Sequence, residues 1–517
     1  MRHYFFIFCL SLLAILIHGY QFAVSDQEIF IPYILKSVDN SLFPQDLLFQ
    51  QPSTNLSIFY SIIGFFTRFC NIQIIFFLGY LFFQFLFFCG IYRLAKIIID
   101  NENLAYLSIV PFLLPKFIGG TATSTFELFF GYRLIGIIFL IYYLIALLEN
   151  KFLRSATIAA LGIWVHPLSI IPSLLILPIF IIAKSKNVLK DFFCAMIIFG
   201  VILIPFIFVA QHSLLSQTWY IKDELWLSII KFRNDYLFIS TWESRGWLAF
   251  GLYLSLSFLF LPKLEGKVKK TILLFIIISL SVFIFNYLIL EVFRIPLIAQ
   301  FQLVRSITPI AYVSLAITPL FLIYKNLLLK TLGIIAFGAL SLNLFSVFLF
   351  TTAFFILSLI FVEKKTRGTI PAKEIALIIG SIYILHLLLN FNSFRNFQQK
   401  IQFPKQTNDW MDLQLWARNH TDKTATFLVP SNQTGFRIFS QRPIIGDIKD
   451  GAVVIYSPSF ARQWFMVIKD LNNYDNFNEK DILKLKEKYN FHYVVSRSEN
   501  LFFKLKYENN SFRVYEI

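Results

Sequence analysis

The chain has 517 residues, of which 57% are hydrophobic and only 15% charged, and its mean hydropathy is +0.67. A soluble domain carries about 25% charged residues. Repeated apolar stretches near the ~20-residue length of a bilayer crossing therefore predict a polytopic helical membrane protein. The net charge of +16 does not indicate nucleic-acid binding, because most Lys and Arg residues lie in short clusters between apolar stretches. The four cysteines show neither disulfide nor zinc spacing.

The N-terminal stretch "MRHYFFIFCLSLLAILIHGY" has the basic start and apolar core of a signal peptide. The residues after it, Ala23-Val24-Ser25, make a poor cleavage site because an acidic segment follows at once. We expect an uncleaved first membrane helix with its N-terminus in the cytoplasm.

Basic clusters recur along the chain and predict its topology. If every cluster is cytoplasmic, an even number of spans separates each from the next. Residues 155–183 and 331–362 carry positive charge at both ends, so each is predicted to form a hairpin. The turns are expected near 164–167 and 343–352.

This parity gives about thirteen spans in a transmembrane domain of residues 1–391, the last span at about 374–391. It predicts outer loops at 23–56 and near 118–131, 211–245 and 291–302. The polar remainder, 392–517, is then an extracytoplasmic domain. Its two Val-, Phe- and Tyr-rich segments predict strands, and two segments with helical spacing predict helices, so a small α/β fold is expected: "TATFLVP", "FHYVVS", "PSFARQWFMVIKDLN" and "NEKDILKLKEKY".

Acidic residues gather in the first outer loop. Asp26 lies a few residues from the end of the first helix, where a carboxylate is costly unless it has a partner or a function. Asp26 and Glu28 are therefore candidate catalytic acids, and together they are candidate ligands for a divalent cation such as Mg or Mn. Asp46 is a further acidic candidate, although "DNSLFPQD" is also typical of a solvated turn.

Basic residues are predicted at the same membrane edge. Arg305 begins a long apolar span in "FQLVRSITPI", where it either snorkels to lipid headgroups or binds phosphate through its planar fork. Arg133 and His166 are further phosphate-binding candidates, with structural roles as the alternative. Glu127 and Glu291 lie in other outer loops and extend the candidate acidic site.

These groups suit one chemistry. A sugar linked to a polyprenyl phosphate keeps its lipid in the bilayer and presents its head at the outer edge. Glycosyl transfer passes through an oxocarbenium-like state. A carboxylate such as Asp26 can accept the acceptor's proton, and a cation such as Arg305 can stabilise the leaving phosphate.

The acidic first outer loop, the many-span bundle and the outer C-terminal domain resemble the GT-C superfamily of membrane glycosyltransferases. That superfamily includes oligosaccharyltransferases, protein O-mannosyltransferases and lipid A aminoarabinose transferases. "SDQEIFIP", "LFPQD", "FQLVRS" and "FLVPSNQTGFRIFSQRP…DIKDG" are most similar to uncharacterised bacterial GT-C-like membrane proteins. The resemblance implies a polyprenyl-phosphate-sugar donor, and it gives Asp26 the position of the first-loop catalytic acid. The tail has "GFRIFSQRP" in place of the oligosaccharyltransferase signature "WWDYG".

The tail also contains a polar cluster around Gly435 and Gly446. Either it is a loop surface of the α/β domain, or it binds the acceptor and closes over the membrane site. Its candidate residues are Arg437, Arg442, Asp447, Lys449 and Asp450.

Two other functions stay open at this point. A transporter or flippase for a lipid-linked or anionic substrate would place ionisable residues near mid-span, whereas these charges gather at the predicted outer edge. A non-catalytic relative could scaffold assembly of the cell envelope. The residue usage, rich in Phe, Ile, Lys and Asn, indicates an AT-rich bacterial genome, so we expect the protein in a bacterial inner membrane.

Overall fold

The computed structural model describes residues 2–50, 57–210, 223–362, 401–402, 408–497 and 501–517. The predicted last span, 374–391, lies outside these residues. The membrane-type part of the chain is built from seventeen described α-helices. They are α1 Arg2–His18, α2 Gln27–Val38, α3 Leu47–Gln50, α4 Ile58–Phe66, α5 Ile72–Ile99, α6 Glu102–Leu107, α7 Tyr132–Leu148, α8 Phe152–Val165, α9 Pro167–Ile170, α10 Ile176–Lys184, α11 Val188–Ala210, α12 Glu224–Arg233, α13 Ser244–Phe260, α14 Gly266–Tyr287, α15 Thr308–Ala316, α16 Leu327–Ser341 and α17 Phe345–Val362.

Six segments of the described chain are long and apolar enough to cross a membrane. They are Ile72–Ile99, Pro167–Lys184, Val188–Phe208, Ser244–Lys263, Gly266–Val292 and Leu303–Leu322. The last of these is 94% buried, against 17–44% for the other five. It is therefore the central element of the bundle, and its neighbours shield it from lipid.

A helix break is confirmed near both predicted hairpin turns, but the second is shorter than predicted, because residues 345–352 belong to α17. Helix α8 ends at Val165, and the chain restarts at Pro167, which lacks the N–H needed to continue the helix. Helices α16 and α17 pack against one another around a turn at 342–344. Asn343 adopts the left-handed backbone conformation there (φ 61°), which Asn tolerates better than most residues.

The predicted outer loop 23–56 is not simply a loop. It contains α2, with Asp26 at its N-cap position and five buried residues along its length. The apolar positions of "EIFIPYIL" pack against the bundle, and Pro32 does not stop the helix. Two short strand pairs lie nearby: β1 (Tyr20–Gln21) with β4 (Ile401–Gln402), and β2 (Phe117–Ile118) with β3 (Thr123–Ser124).

The C-terminal region is a small α/β unit, and all four of its predicted elements are confirmed. Its strands are β5 Phe427–Leu428, β6 Tyr493–Ser496, β7 Lys504–Glu508 and β8 Arg513–Glu516, in the sheet order β5-β6-β8-β7. The β5–β6 pair is parallel, and the other pairs are antiparallel. Its helices are α18 Asp409–His420, α19 Phe436–Ser440, α20 Pro458–Asp470 and α21 Glu479–Tyr489.

Side chains alternate between the two faces of a strand, so the same strands contribute to two cores, one on each face of the sheet. Phe427 and Val495 face a core that α18 completes, while Leu428 and Val494 face a second core that α20 and α21 complete. The α20 side of the unit docks onto α12, where Trp226 Nε1 donates a hydrogen bond to the Val454 carbonyl at 2.8 Å.

Candidate functional site

A cavity of about 690 Å³ lies where the ends of several helices meet the C-terminal region. Its walls include the segment that enters α2, the 115–133 loop, the break between α8 and α9, the residues at the end of α12, the turn before α15, and residues 449–456 of the C-terminal region. Its charged or potentially charged lining residues are Asp26, Glu127, Arg133, His166, Arg233, Arg305 and Lys449. The cavity therefore gathers polar groups from positions that are far apart in the sequence.

Arg133 joins two of the predicted acids. Its Nη2 contacts Asp26 Oδ2 at 2.5 Å, and its Nη1 pairs with Glu127 Oε1. Arg133 was predicted to bind phosphate, but both of its terminal nitrogens are engaged by carboxylates. Its geometry suits a positioning residue that holds the two acids at the cavity wall.

The two acids differ in protonation tendency although they share one arginine. Burial alone would raise the pKa of Asp26, but the charges of Arg133, Lys449 and Arg305 outweigh burial and lower it. For Glu127 burial outweighs the attraction of Arg133, so its pKa is raised. Environments that push two carboxyl pKa values apart are typical of acid–base sites.

Arg305 is buried without an ion-pair partner. Its side chain is 7% exposed, and its Nε has no hydrogen-bond acceptor. No carboxylate in the described part of the chain forms a salt bridge with it, and its guanidinium lies 5.8 Å from the Tyr236 ring centre. A buried cation in this state has unused capacity to bind an anion.

His166 also lies on the cavity wall, at the break between α8 and α9. It is 3% exposed; its Nδ1 lies 2.6 Å from Ser169 Oγ, and its ring is 4.9 Å from that of Tyr132. The ring is thus held by two neighbours, which is compatible with a packing role and with contact to a ligand.

The cavity lining contains strained backbone. Ser25, Ala122 and Gln302 all line it and all have left-handed φ angles, at 54°, 53° and 46°. Such conformations cost on the order of 1–3 kcal/mol each in residues other than glycine, and they concentrate at functional sites. Ser25 directly precedes Asp26, whose carboxylate makes no hydrogen bond to its own helix and pairs with Arg133 instead.

Several predicted site residues lie outside the cavity lining, because other groups engage them. Glu28 accepts a hydrogen bond from Thr434 Oγ1 at 2.6 Å, and burial raises its pKa. Glu291 accepts from the backbone N–H groups of Ile239 and Ser240. Arg442 donates to the carbonyls of Arg418 and Thr421 and so caps the C-terminus of α18. The structure does not bring these three residues to the cavity.

Asp46 and Arg437 form a buried ion pair away from the cavity. Arg437 Nε and Nη2 contact the two Asp46 oxygens at 2.6 and 2.9 Å. On its other side Arg437 contacts both oxygens of Asp450 at 2.8 Å. All three side chains are 2% exposed or less. This buried network joins the segment of residues 23–50 to the C-terminal region, so these residues fix the cavity walls rather than contact a substrate.

Asp447 belongs to the same buried network. Its Oδ1 accepts hydrogen bonds from the backbone N–H groups of Lys449 and Asp450, at 2.8 and 3.1 Å. The predicted acceptor-side role therefore becomes a positioning one, because Asp447 shapes the turn that presents Lys449 to the cavity.

The buried Asp447 carboxyl predicts a pH-dependent stability. Burial, reinforced by Asp450, raises its pKa to about 8 from a usual value near 4. Between these values the folded protein keeps a proton that the unfolded chain has lost, so stability falls as pH rises through this window. Asp447→Asn keeps the Oδ1 acceptor without the titration.

We expect this variant to flatten the decline in the free energy of unfolding between about pH 5 and 8, measured by denaturant unfolding in detergent. Asp412→Asn on α18 is the control and should retain the slope of the parent protein. Identical slopes for the parent protein and Asp447→Asn would contradict this explanation.

The donor set does not suit a divalent cation held by Asp26 and Glu28. Asp26 is paired with Arg133, and Glu28 is bound to Thr434 outside the cavity lining. In the part of the chain that the structure describes, no three His, Cys, Asp or Glu residues group in a way that could hold a metal ion.

The sequence did not predict the aromatic residues of the cavity wall or the part of the C-terminal region that covers the cavity. Tyr456 comes from the C-terminal region, and Tyr236 and Asn234 follow α12. Asn234 is 4% exposed, and its Nδ2 has no hydrogen-bond acceptor. The Tyr and Asn residues after α12 only weakly indicate a binding site in the sequence, because the cavity that they line forms only when the C-terminal region packs beside them.

Comparison with known proteins gives one partial match. Residues 408–471 match the family model described as a domain of unknown function, DUF6798. No curated protein matches the chain. The matched segment begins at α18 and ends just after α20, and it carries Arg437, Lys449 and Tyr456. The chain is thus similar to that family in the part of the C-terminal region that lines the cavity and contacts the segment of residues 23–50.

Proposed function

We propose that this protein is a membrane glycosyltransferase that moves a sugar from a polyprenyl-phosphate-linked donor to an acceptor on the outer face of the membrane. The proposal includes the GT-C-like fold of about thirteen spans, with the N-terminus in the cytoplasm and the C-terminal region outside. It also assigns the protein to a bacterial inner membrane. The observation that carries it is a cavity lined by both Asp26 and Arg305, a buried cation that forms no ion pair with any described carboxylate.

The reaction balances with the groups at hand. The acceptor oxygen forms a bond to the anomeric carbon of the sugar, and the bond from that carbon to the phosphate oxygen breaks. Its electron pair goes to the phosphate, where Arg305 stabilises the added charge. The acceptor proton passes to the Asp26 carboxylate, which its lowered pKa keeps ionised.

The remaining lining supports a sugar-bearing ligand. Five tyrosines contribute rings to the wall: Tyr33, Tyr60, Tyr132, Tyr236 and Tyr456. Such rings combine an apolar face with a polar hydroxyl, and sugars present both kinds of surface. Apolar side chains of α8, α9 and α11 also reach the cavity, through Val165, Leu168 and Phe206. They offer a lipid chain a route toward the membrane.

The test is a transfer assay on the full-length protein in lipid. A panel of radiolabelled polyprenyl-phosphate and polyprenyl-diphosphate sugars is supplied, and sugar release to water or to added acceptor is measured. Asp26→Asn should lower release by about 10²-fold or more, because the amide cannot take the proton. Asp39→Asn is the matched control: Asp39 lies in the same outer segment but pairs with Lys423 outside the cavity lining.

Release that is equal in the parent and Asp26→Asn proteins would remove Asp26 from the reaction. Absence of release from every donor, with donor binding unchanged by the variant, would favour a transporter or a scaffold over an enzyme.

A further inference from the structure

The cavity carries more positive than negative charge. Its lining contains four cations and two carboxylates: Arg133, Arg233, Arg305, Lys449, Asp26 and Glu127. With both carboxylates ionised, two positive charges remain in excess. The raised pKa of Glu127 can only increase that excess. A cavity with this charge is matched to a ligand that carries at least two negative charges.

Three of the four cations form no ion pair with a described carboxylate. Arg133 is paired with both carboxylates, and Arg233, whose Nε donates to the Ile448 carbonyl at 2.9 Å, keeps its charge. Neither Arg305 nor Lys449 forms an ion pair with any described carboxylate. Arg305 lies at the start of the buried segment Leu303–Leu322, whereas Lys449 belongs to the C-terminal region that covers the cavity.

Both cations lie near the candidate base. The charges of Lys449 and Arg305 each act on Asp26. A ligand bound between them would thus contact Arg305 on one side and Lys449 of the C-terminal region on the other. Asn234 adds a neutral donor to the same wall, since its Nδ2 is buried without a partner.

Resting on the proposed function, we propose that the donor is a lipid diphosphate sugar rather than a lipid monophosphate sugar, with Arg305 and Lys449 each binding one phosphate. A sugar joined to a lipid through one phosphate carries a single negative charge, and one joined through a diphosphate carries two. The second matches the excess in the cavity. When the sugar–oxygen bond breaks, the leaving diphosphate gains a further charge, and two cations stabilise it better than one.

Farnesyl phosphate and farnesyl diphosphate are suitable probes for the leaving groups of the two donor classes, because each lacks the sugar and carries up to about one negative charge more than the corresponding donor. Their binding to the full-length protein in nanodiscs is measured by calorimetry at fixed salt. Farnesyl diphosphate should bind about tenfold more tightly than farnesyl phosphate, the gain typical of one charge-assisted contact. Lys449→Gln should reduce that preference to about twofold and leave farnesyl phosphate nearly unaffected.

Lys423→Gln is the matched control, because Lys423 is an exposed lysine of the same region that pairs with Asp39. It should leave the tenfold preference unchanged, which separates a specific contact from the greater general attraction of a diphosphate. Equal binding of the two lipids, or a preference that Lys449→Gln does not change, overturns the diphosphate inference. The proposed function would then still be judged by the transfer assay. Absence of binding by both lipids together with absence of transfer would overturn both.

Discussion

Arg437→Met is expected to lower the free energy of unfolding by about 3–5 kcal/mol, the range measured when one partner is removed from a buried ion pair. The substitution leaves Asp46 and Asp450 buried without their shared cation, and both lie at 1% exposure or less. The loss should appear in denaturant unfolding in detergent. Because the network joins the segment of residues 23–50 to the C-terminal region, we also expect the C-terminal region of the variant to become sensitive to protease.

Two comparisons make this expectation specific. Arg497→Met removes an exposed ion pair with Asp475 and should cost less than about 1 kcal/mol. Adding Asp46→Asn and Asp450→Asn to Arg437→Met removes the uncompensated charges and should recover about half of the lost stability. A loss for Arg437→Met no larger than that for Arg497→Met would show that the network does not hold the two parts together.

The same network explains what the sequence could and could not predict. Asp46 and Arg437 were both recognisable as charged residues in polar stretches, but 391 positions separate them. A buried pair of this kind has no local signature, because each partner alone resembles a solvated loop residue. Only the docked C-terminal region turns two surface candidates into one buried contact.

Local structure was predictable where it depended on local chemistry. Pro167 and Asn343 mark the ends of helices because their backbone preferences act at the position itself. The strands and helices of the C-terminal region followed from apolar spacing. Helix α2 was missed because its acidic, proline-containing sequence resembles a loop, while its stability comes from packing on the bundle.

The candidate site was predictable in part, because charge parity assigns residues to one side of the membrane. Asp26, Arg133, His166, Glu127 and Arg305 were all expected at the outer edge, and all five line the cavity. Their partners were not predictable. Arg133 is paired with Asp26 and Glu127, whereas Arg305 is buried without an ion pair to a described carboxylate, and this distinction exists only in three dimensions.

Arg305→Met is expected to make the ligand-free protein more stable and the enzyme much less active. Removing a buried guanidinium whose Nε has no acceptor relieves a penalty of about 1–3 kcal/mol. Loss of the contact with Tyr236 at 5.8 Å offsets part of this gain, by about 0.5–1 kcal/mol. Sugar transfer should fall by about 10²–10³-fold, as when one preorganised donor to a developing anion is removed.

Arg133→Met provides the opposite result in the same cavity. It strands Asp26 and Glu127 without their cation, so it should destabilise the protein as well as inactivate it. A group kept for binding opposes stability when its ligand is absent, whereas a group that holds other residues in place supports it. If Arg305→Met instead destabilised the protein as much as Arg133→Met, Arg305 would be structural, and the cavity would lose its one unpaired, deeply buried cation among the described residues. A higher free energy of unfolding for Arg305→Met and a lower one for Arg133→Met would identify Arg305 as the arginine that binds an anion.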